Sequence, residues 1–149
     1  MPSLTSEEAL AKARSALKLE PSLRGDAWPV QRFDQEGGYF LVVFGRPEAS
    51  VAVAAVDCGN GELLSSARLA ATGSHLTVTA QEATRRAGMS PENSTVRLVW
   101  RPSRQSRSPL YPLWEVREAA HTLYVDQQGT TWPQLDEGGP GGGGAGQDD

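Results

Sequence analysis

One helix-start signature is written twice in this chain. Leu4-Thr5-Ser6-Glu7-Glu8-Ala9 returns as Val78-Thr79-Ala80-Gln81-Glu82-Ala83. In each copy Thr is a good N-cap, and the Glu three positions on is its reciprocal capping-box partner. After Thr5, the residues Ala9, Leu10, Ala13, Ala16 and Leu17 recur at helical spacing, and Pro21 lies just past the expected end. After Thr79, Ala87 falls where Ala13 fell, and Gly88 and Pro91 end a shorter helix.

Strand-like sequence follows each helix. In the first half the strands expected are Trp28 to Phe33, Tyr39 to Phe44, Val51 to Val56 and a short one over 62–69. Tyr39 to Phe44 is continuously apolar, which predicts a central, covered strand. Gly37-Gly38 separates the first two as a hairpin would, and Asp57-Cys58-Gly59-Asn60-Gly61 makes a turn. In the second half Val96, Leu98 and Trp100 alternate, a polar loop runs over 101–108, and Leu113 to Val116 and His121 to Val125 follow. Asp126-Gln127-Gln128-Gly129 turns the chain into a last short strand at Thr131 and Trp132.

Consecutive strands on short connections pair antiparallel, and a covered sheet face calls for a helix on it. The fold expected is therefore α+β: two diverged repeats of a helix followed by three to four antiparallel strands, with the helices packed on one sheet face. The units expected are 1–69 and 78–135, joined by a linker at 70–77. Residues 136–149 hold seven glycines and no large apolar side chain, so a disordered Gly-rich acidic tail is expected there.

The ending Val53-Ala54-Ala55-Val56-Asp57-Cys58-Gly59-Asn60-Gly61-Glu62-Leu63-Leu64 resembles that of the PepSY family. In that family a helix rich in Glu and Ala precedes strands, and an Asp-x-x-x-Gly turn closes the unit. The second ending, Asp126-Gln127-Gln128-Gly129, is one residue shorter. The tandem arrangement is similar to that of the beta-lactamase-inhibitory protein type, and the first unit looks like small immunity-type proteins of bacterial toxin systems. These resemblances imply a binding or inhibitory role without an active site.

The residues themselves offer little chemistry. There are two histidines, His75 and His121, and one cysteine, Cys58, with no short ligand spacing among them. No phosphate loop is present, because Gly59-Asn60-Gly61 lacks the Lys-Ser/Thr and the helix that one needs. Asp57 and Asp126 sit in equivalent turns, where Asp commonly accepts backbone N–H groups. We therefore expect no enzyme, no metal and no cofactor. The first residues have neither a basic nor an apolar leader region, and no apolar run approaches the roughly 18 residues of a membrane span. A cytoplasmic, bacterial protein, monomeric or homodimeric, is the expectation.

Charge singles out one segment. The net charge of −4 is accounted for by Asp136, Glu137, Asp148 and Asp149, so the body is neutral. Within it, Arg85, Arg86, Arg97, Arg101, Arg104 and Arg107 stand against Glu92 alone over positions 85–107. Arg and Trp are favoured interface anchors, and loops on a rigid scaffold often carry binding. Arg97, Trp100, Arg101, Arg104 and Arg107 are thus the candidate protein-binding residues. Three readings compete for the loop: a solvated connection, a protein-binding loop and a nucleic-acid contact. A neutral body disfavours nucleic acid. The function expected is a non-catalytic protein-binding module of inhibitor or immunity type. The alternative is a structural or chaperone-like cytoplasmic protein without a dedicated target.

Overall fold

The computed structural model describes residues 4–34, 36–46, 49–69, 75–76 and 78–135. Most of the expected linker and all of the expected tail lie outside the described residues. The chain divides into two compact units, Met1–Thr77 and Val78–Asp149.

In the first unit, α1 spans Ser6–Leu17. Its capping box is complete: Glu8 N–H donates to Thr5 Oγ1 at 3.1 Å, and Thr5 N–H donates to Glu8 Oε1 at 2.9 Å. Arg14 closes the other end by donating to the carbonyls of Glu20 and Leu23, at 2.9 and 2.6 Å. The strands are β1 (Gly25–Arg32), β2 (Gly38–Arg46), β3 (Ala49–Asp57) and β4 (Leu63–Arg68), antiparallel in the order β4-β3-β2-β1. Ala9 and Ala13, one turn apart, pack against Val42, Phe44, Ala52, Ala54 and Val56. These small helix residues let α1 approach the sheet closely. Gly25 serves the same end, since a Cβ there would lie 2.7 Å from both Leu10 and Phe44. The opposite face of β2 and β3 is buried too, at Tyr39, Leu41, Val53 and Ala55. Burial on both faces is what the continuous apolar run at Tyr39–Phe44 records.

In the second unit, α2 spans only Ala80–Arg86. Strands β5 (Ser94–Trp100), β6 (Leu113–Glu118), β7 (His121–Val125) and β8 (Thr131–Trp132) follow in the order β5-β6-β7-β8, again antiparallel. Thr79 Oγ1 accepts from Glu82 N–H at 3.1 Å. The Glu82 carboxylate is taken by Arg85 and Arg86. Ala83 and Thr84 are the buried residues of α2. Two side chains tie the start of this unit to its sheet: Trp114 Nε1 donates to Val78 O at 2.7 Å, and buried Gln127 accepts from Val78 N–H at 3.2 Å and donates to Pro112 O at 3.1 Å.

The expected fold class needs correction. Of the described residues 43% are strand and only 15% helix, so the chain is a sheet protein with two short helices and not a pair of helix-then-strands repeats. The element lengths agree with that correction. α1 has 12 residues and α2 has 7, while β4 has 6 and β8 has 2. The physical reason lies in what recurs in the sequence. A Thr cap and an Asp-initiated turn are local solutions to orphan N–H groups, available to any helix start or hairpin. Their recurrence fixes local geometry and says nothing about how much helix follows.

Candidate protein-binding face

Cross-strand register in the second unit sets Arg97 opposite Glu115, Glu115 opposite Tyr124, and Tyr124 opposite Trp132. Side chains alternate along strands, so these four share one face, together with Arg117 two residues beyond Glu115. Trp114 and Glu118 have the other parity, and they bond to Val78 and Ser90, which flank α2. The row from Arg97 to Trp132 therefore lies on the face that α2 leaves open.

Glu115 is the centre of this face, with its side chain only 4% exposed. Its Oε1 accepts from Arg97 Nε at 2.8 Å and lies 3.9 Å from Arg117 Nε, while its Oε2 accepts from Tyr124 O–H at 3.4 Å. A buried carboxylate is costly unless paired and hydrogen-bonded, and here it is both. Burial, and then the Glu115 charge, push the Tyr124 phenol up, which keeps it a hydrogen-bond donor. Asp126 fixes the far end of the row. Its Oδ1 accepts from Gln128 N–H and Thr130 N–H, and its Oδ2 accepts from Trp132 Nε1, each at 2.9 Å.

The sequence-derived candidates do not form one group. Trp100 is 4% exposed. It has the parity of Leu98, so it points away from the Arg97 face and serves the core. Arg97 is on the open face, committed to Glu115. Arg101 is half-buried, whereas Arg104 and Arg107 are exposed.

The loop is also more ordered than a solvated connection. Ser103 and Ser106 are buried. Ser103 N–H donates to Ser106 O at 3.0 Å, Ser106 N–H donates to Ser103 Oγ at 3.2 Å, and Ser106 Oγ donates to Tyr111 O at 2.6 Å. The three-residue spacing thus turns Ser103 and Ser106 inward and Arg104 and Arg107 outward. Arg85 and Arg86, which swell the local charge, are spent on Glu82.

Sequence reading missed Glu115, Arg117, Tyr124 and Trp132. The strand alternation that places Arg97 would have placed Glu115 and Arg117 on one face of β6. Their register against Arg97 could not be read, because the loop between β5 and β6 is too long to fix it.

Other reactive groups are poorly placed for chemistry. Burial, and then the Asp57 charge, push the Cys58 thiol up, which suppresses the nucleophilic thiolate. Asp57 Oδ1 is occupied by Gly59 N–H and Asn60 N–H, at 2.6 and 3.2 Å. Buried His75 contributes its backbone N–H to Ser50 Oγ at 3.0 Å. A pocket of about 300 Å³ beside α2 is lined by Met89, Leu123, Glu118 and His121 among others. Glu118 Oε1 there already accepts from Ser90 N–H at 2.6 Å. Among the described residues no three His, Cys, Asp or Glu side chains come together as a metal site, and no helix is long and apolar enough to cross a membrane.

Comparison with family models, with curated proteins and with solved structures returns no match for this chain.

Proposed function

We propose that this chain is a non-catalytic, cytoplasmic protein-binding module of the inhibitor or immunity type, and that it holds an acidic partner on the open face of its second unit. One observation carries the reading. Exposed Arg97 and Arg117, with half-buried Tyr124 and Trp132, are fixed in register around a buried carboxylate. Arg, Tyr and Trp are the side chains that dominate interface energetics, and rigid ones bind at lower entropic cost. Glu115 and Asp126 balance the two guanidinium groups along the row itself. The positive balance belongs to the unit as a whole over positions 78–135, with Arg85, Arg86, Arg97, Arg101, Arg104, Arg107 and Arg117 against Glu82, Glu92, Glu115, Glu118 and Asp126. The PepSY-like ending of the first unit agrees with such a role.

The test has two stages. The chain is immobilised and an acidic protein is captured from extract of its native host. The purified pair is then measured by calorimetry against Arg104→Ser/Arg107→Ser/Arg117→Ser. The triple variant should bind at least tenfold more weakly at low salt and should lose most of the salt dependence. Equal affinity, or no purified pair that binds, would defeat the proposal.

A further inference from the structure

Two arginines share Glu115, and they do not share it equally. Arg97 sits directly opposite on β5 and makes a hydrogen bond of 2.8 Å to Oε1. Arg117 reaches the same oxygen only at 3.9 Å, beyond hydrogen-bond range, and its side chain is 59% exposed. Arg97 neutralises the buried carboxylate. Arg117 feels the same charge, which restrains where it lies, yet its N–H donors are not consumed by it.

Resting on the proposed binding role, we infer that Arg117 is the partner-reading residue of this face, and that it takes a surface carboxylate of an acidic protein. The guanidinium presents donors in a planar fork that fits a carboxylate through two parallel bonds. Tyr124, beside Glu115, and Trp132, next in the row, supply the apolar flank that shields such a bond from water. A nucleic-acid backbone is a poorer fit. The body of the chain is neutral and gives no basic footprint for a phosphate backbone. Arg97 has a structural duty, so its removal takes from Glu115 its hydrogen-bonded cation. The division of labour follows from one residue spacing: Arg97 is across the strand pair from Glu115, and Arg117 is beside it on the same strand.

The probe is an acetylated decaglutamate peptide, titrated at low ionic strength and followed by calorimetry and by the arginine Nε–H resonances. The matched control is Arg85→Gln, which removes the same charge from α2 of the same unit. Arg117→Gln should weaken decaglutamate binding at least fivefold with an unchanged melting temperature. Arg85→Gln should change it less than twofold. The Arg117 Nε–H should shift on titration into the wild-type protein.

Equal losses in the two variants would reduce the effect to net charge and overturn the inference, as would no loss in Arg117→Gln or no binding by wild type. Tighter binding of a single-stranded decathymidylate, also lost in Arg117→Gln, would assign the face to nucleic acid and overturn it too. If Arg117→Gln binds normally while Arg104→Ser/Arg107→Ser does not, this inference falls and the broader binding role stands.

Discussion

The two units put antiparallel sheets to different uses. In the first, β2 and β3 bury both faces: Val42, Phe44, Ala52 and Ala54 on the helix side, and Tyr39, Leu41, Val53 and Ala55 on the other. In the second, β6 buries Trp114 and Val116 on the helix side and Leu113 and Glu115 on the other, where Arg117 alone is exposed, so that face carries charge in place of an apolar row. Strand geometry is the same in both, and the residues at alternate positions decide the outcome. A sheet apolar on both faces is a scaffold. A sheet with charge in register on one face presents a different chemistry there from an apolar one.

The largest effect should come from the scaffold. Phe44 is fully buried and lies under both α1 and the Arg14 guanidinium, whose carbon is 5.3 Å from the ring centroid. Phe44→Ala should cost about 3–5 kcal/mol, read from urea unfolding. Arg117→Ala, on the open face, should stay within about 0.5 kcal/mol. Comparable losses at the two sites would erase the distinction between scaffold and surface.

Alkaline pH gives a second contrast. Burial pushes the Tyr39 phenol far up, with nearby Arg32 opposing and Asp34 adding to the rise. A group raised in the folded state contributes stability below its unfolded value, about 10 for tyrosine, and loses it as pH climbs toward the folded value. Stability should therefore fall above about pH 10, at up to about 1.4 kcal/mol per pH unit for Tyr39 alone. Tyr39→Phe should flatten that fall more than Tyr124→Phe, because Tyr124 is only half-buried. Identical pH profiles for the two variants would contradict the burial difference.

The third effect is smaller. Arg97→Gln leaves the buried Glu115 with a distant Arg117 and one phenol. A fully buried pair broken this way costs several kcal/mol, but Arg97 is half exposed, so about 1–2 kcal/mol is expected. Arg97→Gln/Glu115→Gln should recover most of it, since the unpaired charge is gone. A double variant no better than Arg97→Gln would show that the loss was packing and not charge.

The legible part of this molecule is the local part. Thr5 and Thr79 announce their helices because a cap is a matter of four residues, and Tyr39–Phe44 announces a covered strand because burial on both faces leaves no polar position. Asp57 and Asp126 read correctly as turn carboxylates, each now seen accepting backbone N–H groups. The fold class read from those repeats did not hold, because no cap specifies how far its helix runs. The candidate site was legible only at its edge. Arg97 drew attention through local charge density, but charge density also drew in Arg85 and Arg86, which pair with Glu82. Trp100 is buried where Arg97 is exposed, because an alternating strand has two faces and neighbours in sequence do not say which one is wet. Glu115 and Arg117 carried no signal of their own until the β5–β6 register set them against Arg97.

The smallest contrast lies in the caps, and it separates a complete motif from half of one. At α1 both halves of the capping box are made, so Thr5 satisfies one orphan N–H and Glu8 satisfies another. At α2 the Thr79 hydroxyl accepts from Glu82 N–H, but the Glu82 carboxylate is drawn down the helix to Arg85 and Arg86. Thr5→Ala should thus cost about 1 kcal/mol, the usual worth of an N-cap. Thr79→Ala should cost about 0.5 kcal/mol, at the low end of that range, because α2 has seven residues and its start is also held by Trp114 and Gln127 through Val78. The pairs on Glu82 are surface interactions of the i,i+3 and i,i+4 kind, each worth a few tenths of a kcal/mol. Glu82→Ala should therefore cost little more than that, whereas Glu8→Ala removes the second half of a working box. Urea midpoints of the four variants measure the ordering directly. If Thr79→Ala proves as costly as Thr5→Ala, then α2 depends on its cap as α1 does, and the side-chain ties to Val78 are not what holds its start.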